Sequence, residues 1–285
     1  MAQFTNQATI TYNGLTASSN IVTGEITQIL TAWKDATYDE YQTGDVLTYV
    51  ISLQNSGTTD LTGLTITDNL GAYTFGTGTV TPLTYTGDPV LYYINGILQA
   101  APAAVAGPPM VISGVSVPAG LSTVLIYRVR VNEYAPLGTE ESIVNTATIA
   151  GGGLSSPITV TETVTPNQAA NLSIFKSLNP TTGVENGQVL YTFTLQNTGA
   201  TAVDAAANLV ISDTFTPALD APIAVTLNGA PWAATGNYTY DATTGLFTTV
   251  AGAVTVPAAT YTQDATTGLW TVTPGTTTLT VSGTI

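Results

Sequence analysis

A chain of 285 residues with 44% apolar and only 8% charged side chains can bury one large core or two ordinary ones. Eighteen acidic against four basic residues leave a net charge of −14, which disfavours nucleic acid and anionic membrane surfaces as partners. Because cysteine and histidine are both absent, disulfides, thiolate zinc sites, Cys–His pairs and Ser–His–Asp triads are excluded together.

No window approaches the roughly eighteen consecutive apolar residues of a membrane span, so membrane insertion is not expected. No basic-then-apolar leader stands at the N-terminus, and the chain begins almost directly with a strand-like run. Abundant Thr and Gly with moderate Pro suit short strands and tight turns, which predicts an all-β chain.

The first element predicted is a hairpin over residues 1–26. Phe4–Leu15, FTNQATITYNGL, lies without a gap over Ile143–Leu154, IVNTATIAGGGL, and half of the positions are identical. After two skipped residues the likeness continues from Ser18–Glu25 onto Ser155–Glu162. The opening segment therefore looks like the closing hairpin of a domain to which it does not belong. Its apolar residues Phe4, Ala8, Ile10, Leu15 and Ile21 need a core to enter.

Next come two copies of one β unit. Residues 30–57, LTAWKDATYDEYQTGDVLTYVISLQNSG, align without a gap to residues 172–199, LSIFKSLNPTTGVENGQVLYTFTLQNTG. Both contain Tyr-x-[Ile/Phe]-x-Leu-Gln-Asn-[Ser/Thr]-Gly, a strand of period two running into a turn. LTGLTITDNL at 61–70 then corresponds to AANLVISDTF at 206–215, and Asn-Gly turns follow at Asn95-Gly96 and Asn228-Gly229. Two further hairpins, Tyr238 to Val250 and Tyr261 to Val272, each turn through Asp-Ala-Thr-Thr-Gly and read as decorations on the shared plan.

The first copy ends with a strand to Val131, a loop over Asn132–Ser142 and the hairpin Ile143–Val164, whereas the second copy stops at Ile285, level with Val131 to within about a residue. The predicted layout is a donor hairpin at 1–26, a complete domain at 27–165, a linker at 166–171, and at 172–285 a second domain that lacks its closing hairpin. The break falls in the counterpart of a surface loop, where chains tolerate being cut. An empty acceptor would leave strand edges exposed. Closure within one chain would carry the hairpin from one end of a two-domain rod to the other, so exchange between copies is expected. Such a contact is heterologous and propagates head to tail.

Both lysines of the chain, Lys34 and Lys176, occupy one repeat position. Strand parity puts Lys34 on the face of Leu30 and Ala32, Asp68 on that of Leu64 and Ile66, and Asn145 on that of Ile143 and Ala147. The second set is Lys176 and Asp213, with Asn6 supplied by the donor hairpin. A buried amine requires a partner or a chemical fate. One reading is a Lys–Asp ion pair beside an Asn bonded to backbone.

The Tyr-x-[Ile/Phe]-x-Leu-x-Asn-x-Gly strand and the Asn-Thr-Ala-Thr closing strand resemble bacterial and archaeal surface-protein repeats with immunoglobulin-like domains, similar to Gram-positive pilin and adhesin modules. That resemblance implies two immunoglobulin-like β-sandwiches in tandem and Lys–Asn isopeptide bonds. Lys34 would join Asn145 within one chain, and Lys176 would join Asn6 of the neighbouring subunit. Asp68 and Asp213 would be the catalytic acids of a single-turnover maturation. Gln7 stands where the Asn-Thr-Ala-Thr pattern has Thr, a departure in the donor copy.

The function implied is an extracellular filament subunit on a cell or spore surface, partnered by itself, with no cofactor and no metal; it is not expected to be an enzyme. Spore appendages offer a likeness in assembly logic, since they form inside a mother cell that later lyses. The alternative is an adhesin or carbohydrate-binding stalk, to which Trp33, Trp232 and Trp270 would contribute. Asp39, Glu40 and Asp45 lack the spaced oxygens of a calcium loop. Arg128 and Arg130 read as outward charges.

Overall fold

The computed structural model describes residues 2–26 and 29–285, and it is all-β apart from one turn of 3₁₀ helix at Ala205–Ala207. Two compact units divide the chain, residues 1–136 with 141–165 and residues 137–140 with 166–285. Each unit has its own apolar core.

In the first unit the period of two becomes burial. Along Val46–Asn55 every second residue, from Leu47 through Tyr49, Ile51 and Leu53 to Asn55, is buried, as an amphipathic strand requires. This strand pairs with the lysine strand, Leu30–Ala36, on one side and with Ser122–Val131 on the other, and Leu91–Ile94 and Ile97–Leu98 extend the sheet. The opposing sheet runs Ala103–Val105, Met110–Val117, the aspartate strand Leu61–Asp68, then the closing hairpin Ile143–Gly151 and Ile158–Pro166, and last Glu40–Tyr41. The two inner faces meet as a sandwich, with Tyr49, Ile51, Leu64, Ile66, Leu125 and Ile149 fully buried between them.

The Leu-Gln-Asn-[Ser/Thr]-Gly motif has a local cause. Asn55 is buried and donates from Nδ2 to the carbonyls of Thr59 (2.8 Å) and Val117 (3.0 Å), while its Oδ1 accepts from Gly57 N–H (2.9 Å). Asn197 repeats this with Thr201 (2.8 Å), Pro257 (3.0 Å) and Gly199 (2.9 Å). Each motif asparagine is thus a buried side chain that ties the following turn to the neighbouring segment by hydrogen bonds. The two Asn-Gly turns are two-residue hairpin loops with φ of 46° and 78° at Asn95-Gly96 and 49° and 78° at Asn228-Gly229.

In the second unit the sheet order is Leu172–Asn179, Gln188–Asn197, Gly275–Thr284, Asp220–Leu227 and Ala230–Pro231. Two expectations are corrected here. The strand expected across 209–215 is reduced to Ser212–Thr214, because only one edge has a ladder partner; Ile211 N–H bonds instead to the Thr249 hydroxyl at 2.8 Å. The hairpin at 238–250 is no decoration, since its strands Tyr238–Asp241 and Leu246–Thr249 join Ser212–Thr214 to form the second sheet. Its Phe247 is fully buried against Phe215 and Tyr238.

The N-terminal residues form a hairpin of two stacked segments, Ala2–Asn6 with Val22–Ile26 and Thr9–Tyr12 with Leu15–Ser18. Neither segment pairs with any other described strand. Its apolar side chains lie in solvent: Phe4 is 56% exposed, Ile10 71%, Leu15 77% and Ile21 61%. Ala8 is exposed as well.

Candidate functional site

In the first unit the Lys34 amine is fully buried beside the Asp68 carboxylate, Nζ to Oδ2 2.7 Å. It also donates to the main-chain carbonyl of Asn145 at 3.1 Å and lies 4.7 Å from the centre of the Tyr49 ring. Three elements deliver these groups. The lysine strand belongs to one sheet, while the aspartate strand and the closing hairpin are adjacent in the other, with Ala147 directly opposite Asp68. Parity turns Lys34, Asp68 and Asn145 toward one another across the sandwich.

Burial pulls the Lys34 pKa down from 10.5 to about 8, with Asp68 opposing the shift. The amine therefore loses its proton far more readily than a surface lysine. Asn145 accepts at Oδ1 from Gly71 N–H at 3.2 Å, and its Nδ2 is buried without a hydrogen-bond partner. The Tyr49 hydroxyl is likewise buried and unpartnered. Burial raises its pKa, and the Asn145 amide offsets part of that rise. The Asn145 amide thus lies beside the Tyr49 and Tyr127 hydroxyls with its nitrogen lacking a well-aligned hydrogen bond, a cost in a sandwich core.

Tyr127 completes the cluster and was not singled out as a site residue by sequence reasoning. Its hydroxyl donates to Asp68 Oδ2, the oxygen that Lys34 uses. Burial, with the Asp68 charge adding, pushes its phenol well above the ordinary range. Asp68 Oδ1 accepts from Leu70 N–H at 2.8 Å. The alternation that sends Arg128 and Arg130 outward sends Tyr127 inward, so the signal was available. Glu162, directly opposite Asn145 in the closing hairpin, is raised by burial and by Asp35 and Asp39, with Lys34 opposing.

In the second unit Lys176 and Asp213 form the same ion pair, but in the open. Their side chains are 41% and 19% exposed, against 0% and 1% for Lys34 and Asp68. The amine sits among the rings of Tyr191, Phe215 and Phe193, 4.8, 5.4 and 5.5 Å from their centres. Asn6 stands on the exposed N-terminal hairpin, paired with Val22. The position of Tyr127 is taken by Val281, since Tyr127 pairs with Tyr49 and Val281 with Tyr191, the repeat equivalent of Tyr49.

What exposes this second pair is the edge beside it. Ser212–Thr214 has Leu246–Thr249 on one side and no strand on the other. A cleft of about 310 Å³ opens there, lined by Leu172, Ile174, Leu195, Leu209 and Ile211 among others. In the first unit the equivalent edge, Leu64–Asp68, is covered by the first strand of the closing hairpin.

The other candidates fall outside these clusters. Trp33 is exposed, Trp232 lies tilted against Tyr238 with ring centres 5.7 Å apart, and Trp270 is partly buried. Asp45 caps a turn by accepting from Gln42 N–H at 2.8 Å. Arg128 pairs with Asp88 at 2.9 Å and Arg130 donates to the Gly44 carbonyl at 2.7 Å. Among the described residues no helix is long and apolar enough to cross a membrane.

No protein-family model and no curated protein sequence matches the chain. Solved structures similar to it include a variant of BcpA, the major pilin subunit of Bacillus cereus, at 14% identity over 68% of this chain and 66% of that one, TM-score 0.40. Another is the pilus backbone RrgB from Streptococcus pneumoniae, at 14% identity, 86% and 55% coverage and TM-score 0.34. A third is the collagen-binding domain of a Staphylococcus aureus adhesin, at 9% identity, 49% and 99% coverage and TM-score 0.31. The chain thus spans less than two thirds of the pilus backbone protein and about two thirds of the pilin variant. Functional inference rests on the chain's own residues.

Proposed function

We propose that this protein is the structural subunit of an extracellular filament, joined head to tail by insertion of the N-terminal hairpin of one copy into the open edge of the second unit of another. The observation that carries the proposal is the paired mismatch. One unit has an uncovered aspartate-strand edge beside an apolar cleft, and the same chain presents a solvent-exposed apolar hairpin whose sequence matches the hairpin covering that edge in the other unit. Seating Phe4, Ile10 and Ile21 would bury apolar surface at about 1.5–3 kcal/mol per side chain and remove an open edge.

Two isopeptide bonds belong to the same proposal. The neutral Lys34 amine attacks Asn145 Cγ, an Nζ–Cγ bond forms, the Cγ–Nδ2 bond breaks, and ammonia leaves with the proton given up by the amine. Asp68 relays that proton and hydrogen-bonds the carboxamide oxygen as charge develops on it. Lys176, Asp213 and Asn6 of the neighbouring copy would repeat the step between subunits. The lowered pKa of Lys34 and the uncommitted Asn145 Nδ2 support the first bond.

The test moves residues 4–26 to the C-terminus behind a second copy of the loop Asn132–Ser142. That variant should be a stable monomer, and continued fibre growth would sink the exchange model. For the bonds, wild-type polymers should survive boiling in detergent, and Lys176→Ala or Asn6→Ala should reduce them to monomers. An intact mass that has lost no ammonia would refute the chemistry.

A further inference from the structure

The exposed N-terminal hairpin is not in the register that its docked counterpart adopts. In the closing hairpin of the first unit Asn145 lies opposite Glu162, Ala147 opposite Val160 and Ile149 opposite Ile158. The sequence match puts Asn6, Ala8 and Ile10 at the first three of these positions and Glu25, Thr23 and Ile21 at the second three. Yet Asn6 lies opposite Val22, and Glu25 opposite Gln3. Beside Asn6 the returning strand is displaced by three residues, Val22 standing where Glu25 would be, and at the tip, where Ile10 lies opposite Ala17 instead of Ile21, by four.

Several contacts hold the displaced register. Asn13 and Gly14, with φ of 48° and 77°, form a two-residue turn that sets Tyr12 opposite Leu15. Ser19 N–H donates to the Ala8 carbonyl at 2.8 Å, the Ser19 hydroxyl accepts from Ala8 N–H at 3.0 Å, and Gln7 Nε2 donates to the Ser19 carbonyl at 2.8 Å. The Phe4 ring lies flat against Gly24, its cross-strand partner, so closely that a Cβ at that position would stand 2.3 Å from Phe4 Cζ. The equivalent of Gly24 in the closing hairpin is Thr161, whose hydroxyl meets that of Thr146 at 3.1 Å on the solvent side.

A slip of an odd number of residues turns a strand over, because strand side chains alternate faces, and this applies to the returning segment opposite Asn6, whereas the displacement of four at the tip keeps its faces. On this basis we infer that the hairpin of a free subunit rests in a register that cannot dock. Insertion into a second copy then requires its returning strand to slip by three residues beside Asn6 and by four at the tip, which brings Glu25 opposite Asn6, turns Thr23 to the face of Ala8 and sets Ile21 opposite Ile10. The inference rests on the exchange model above and adds a regulated step to it. A free subunit does not present the reactive Asn6 in its docking frame, so growth is gated by a rearrangement within the incoming subunit.

A chain without cysteine makes the test clean. Thr5 and Thr23 are directly opposite in the resting register, and Thr5→Cys/Thr23→Cys can be bridged there, since facing Cα atoms lie within disulfide range. Gln7→Cys/Gly24→Cys can be bridged only in the slipped register, at positions equivalent to Thr146 and Thr161 on the solvent side. Full-length protein of each variant is followed by electron microscopy and by boiling-resistant ladders, oxidised and reduced, with bridging confirmed by mass.

The expected result is complete loss of polymerisation in oxidised Thr5→Cys/Thr23→Cys, restored on reduction, while oxidised Gln7→Cys/Gly24→Cys polymerises. Gly24→Thr, which crowds Phe4 out of the resting register, should polymerise faster than wild type, and an unchanged rate would count against the gate. Growth of oxidised Thr5→Cys/Thr23→Cys at the wild-type rate would overturn the inference while leaving hairpin exchange standing. Failure of wild type and of every reduced variant to polymerise would overturn both.

Discussion

Lys34 meets Asn145 across 111 residues of sequence through the main-chain oxygen of Asn145, at 3.1 Å, and not through its carboxamide. The amine is thereby parked beside its proposed target while Asp68 holds it from the other side at 2.7 Å.

That arrangement has a pH signature when the bond cannot form. In Asn145→Ala the amine stays free. Its folded pKa of about 8 lies below the 10.5 of the unfolded chain, so between these values the unfolded state binds more protons and stability rises with pH. Denaturant unfolding of Asn145→Ala compared with Asn145→Ala/Lys34→Met should show a difference growing by about 3 kcal/mol from pH 8 to 10.5 and flat below pH 8. A difference independent of pH would mean that Lys34 is not desolvated.

Tyr127 should matter for the first unit alone. On the Asn145→Ala background, Tyr127→Phe removes a hydrogen bond to a buried carboxylate and should cost roughly 1.5–3 kcal/mol. With Asn145 intact, the same change should slow the loss of ammonia during refolding, read by mass against time. Loss of stability with an unchanged rate would assign Tyr127 to packing only.

The motif asparagines are expected to be structural. Asn55→Ala or Asn197→Ala each removes a buried side chain that bonds two backbone carbonyls and should cost about 1–3 kcal/mol in the affected unit. Thermal unfolding with one unit at a time altered reports this.

Docking and folding should separate at Ile10. Because Ile10 is 71% exposed and its equivalent Ile149 is fully buried, Ile10→Asp should leave monomer melting unchanged and abolish polymer. Hydrogen exchange offers a positive counterpart: the amides of Val210 and Ser212, which alternate with the bonded amide of Ile211, should exchange quickly in monomers and slowly in polymers.

Much of this was legible because strand parity is a strong signal. Alternation alone turned Lys34, Asp68 and Asn145 inward, and the buried pattern of Val46–Asn55 follows the same rule. Parity fails where a ladder is one-sided. Leu209–Ile211 alternates like a strand but lacks a partner on one edge, and the expected strand shrinks to Ser212–Thr214. Parity is also silent about register, so the displacement of Asn6 against Val22 could not be foreseen: it is set by a local Asn13-Gly14 turn and by the fit of Phe4 on Gly24. Tyr127 escaped notice because an inward tyrosine is ordinarily core.

All four basic side chains are engaged within the subunit: Lys34 with Asp68, Lys176 with Asp213, Arg128 with Asp88 and Arg130 with the Gly44 carbonyl. A copy approaching another therefore meets a charge of the same sign, −14 against −14, with each of the four basic side chains already engaged. In the proposed filament, cohesion would come from backbone pairing and apolar burial, and dissolved salt, by shortening the reach of the repulsion to about 10 Å at 0.1 M, should hasten association where it would weaken an ion-paired interface.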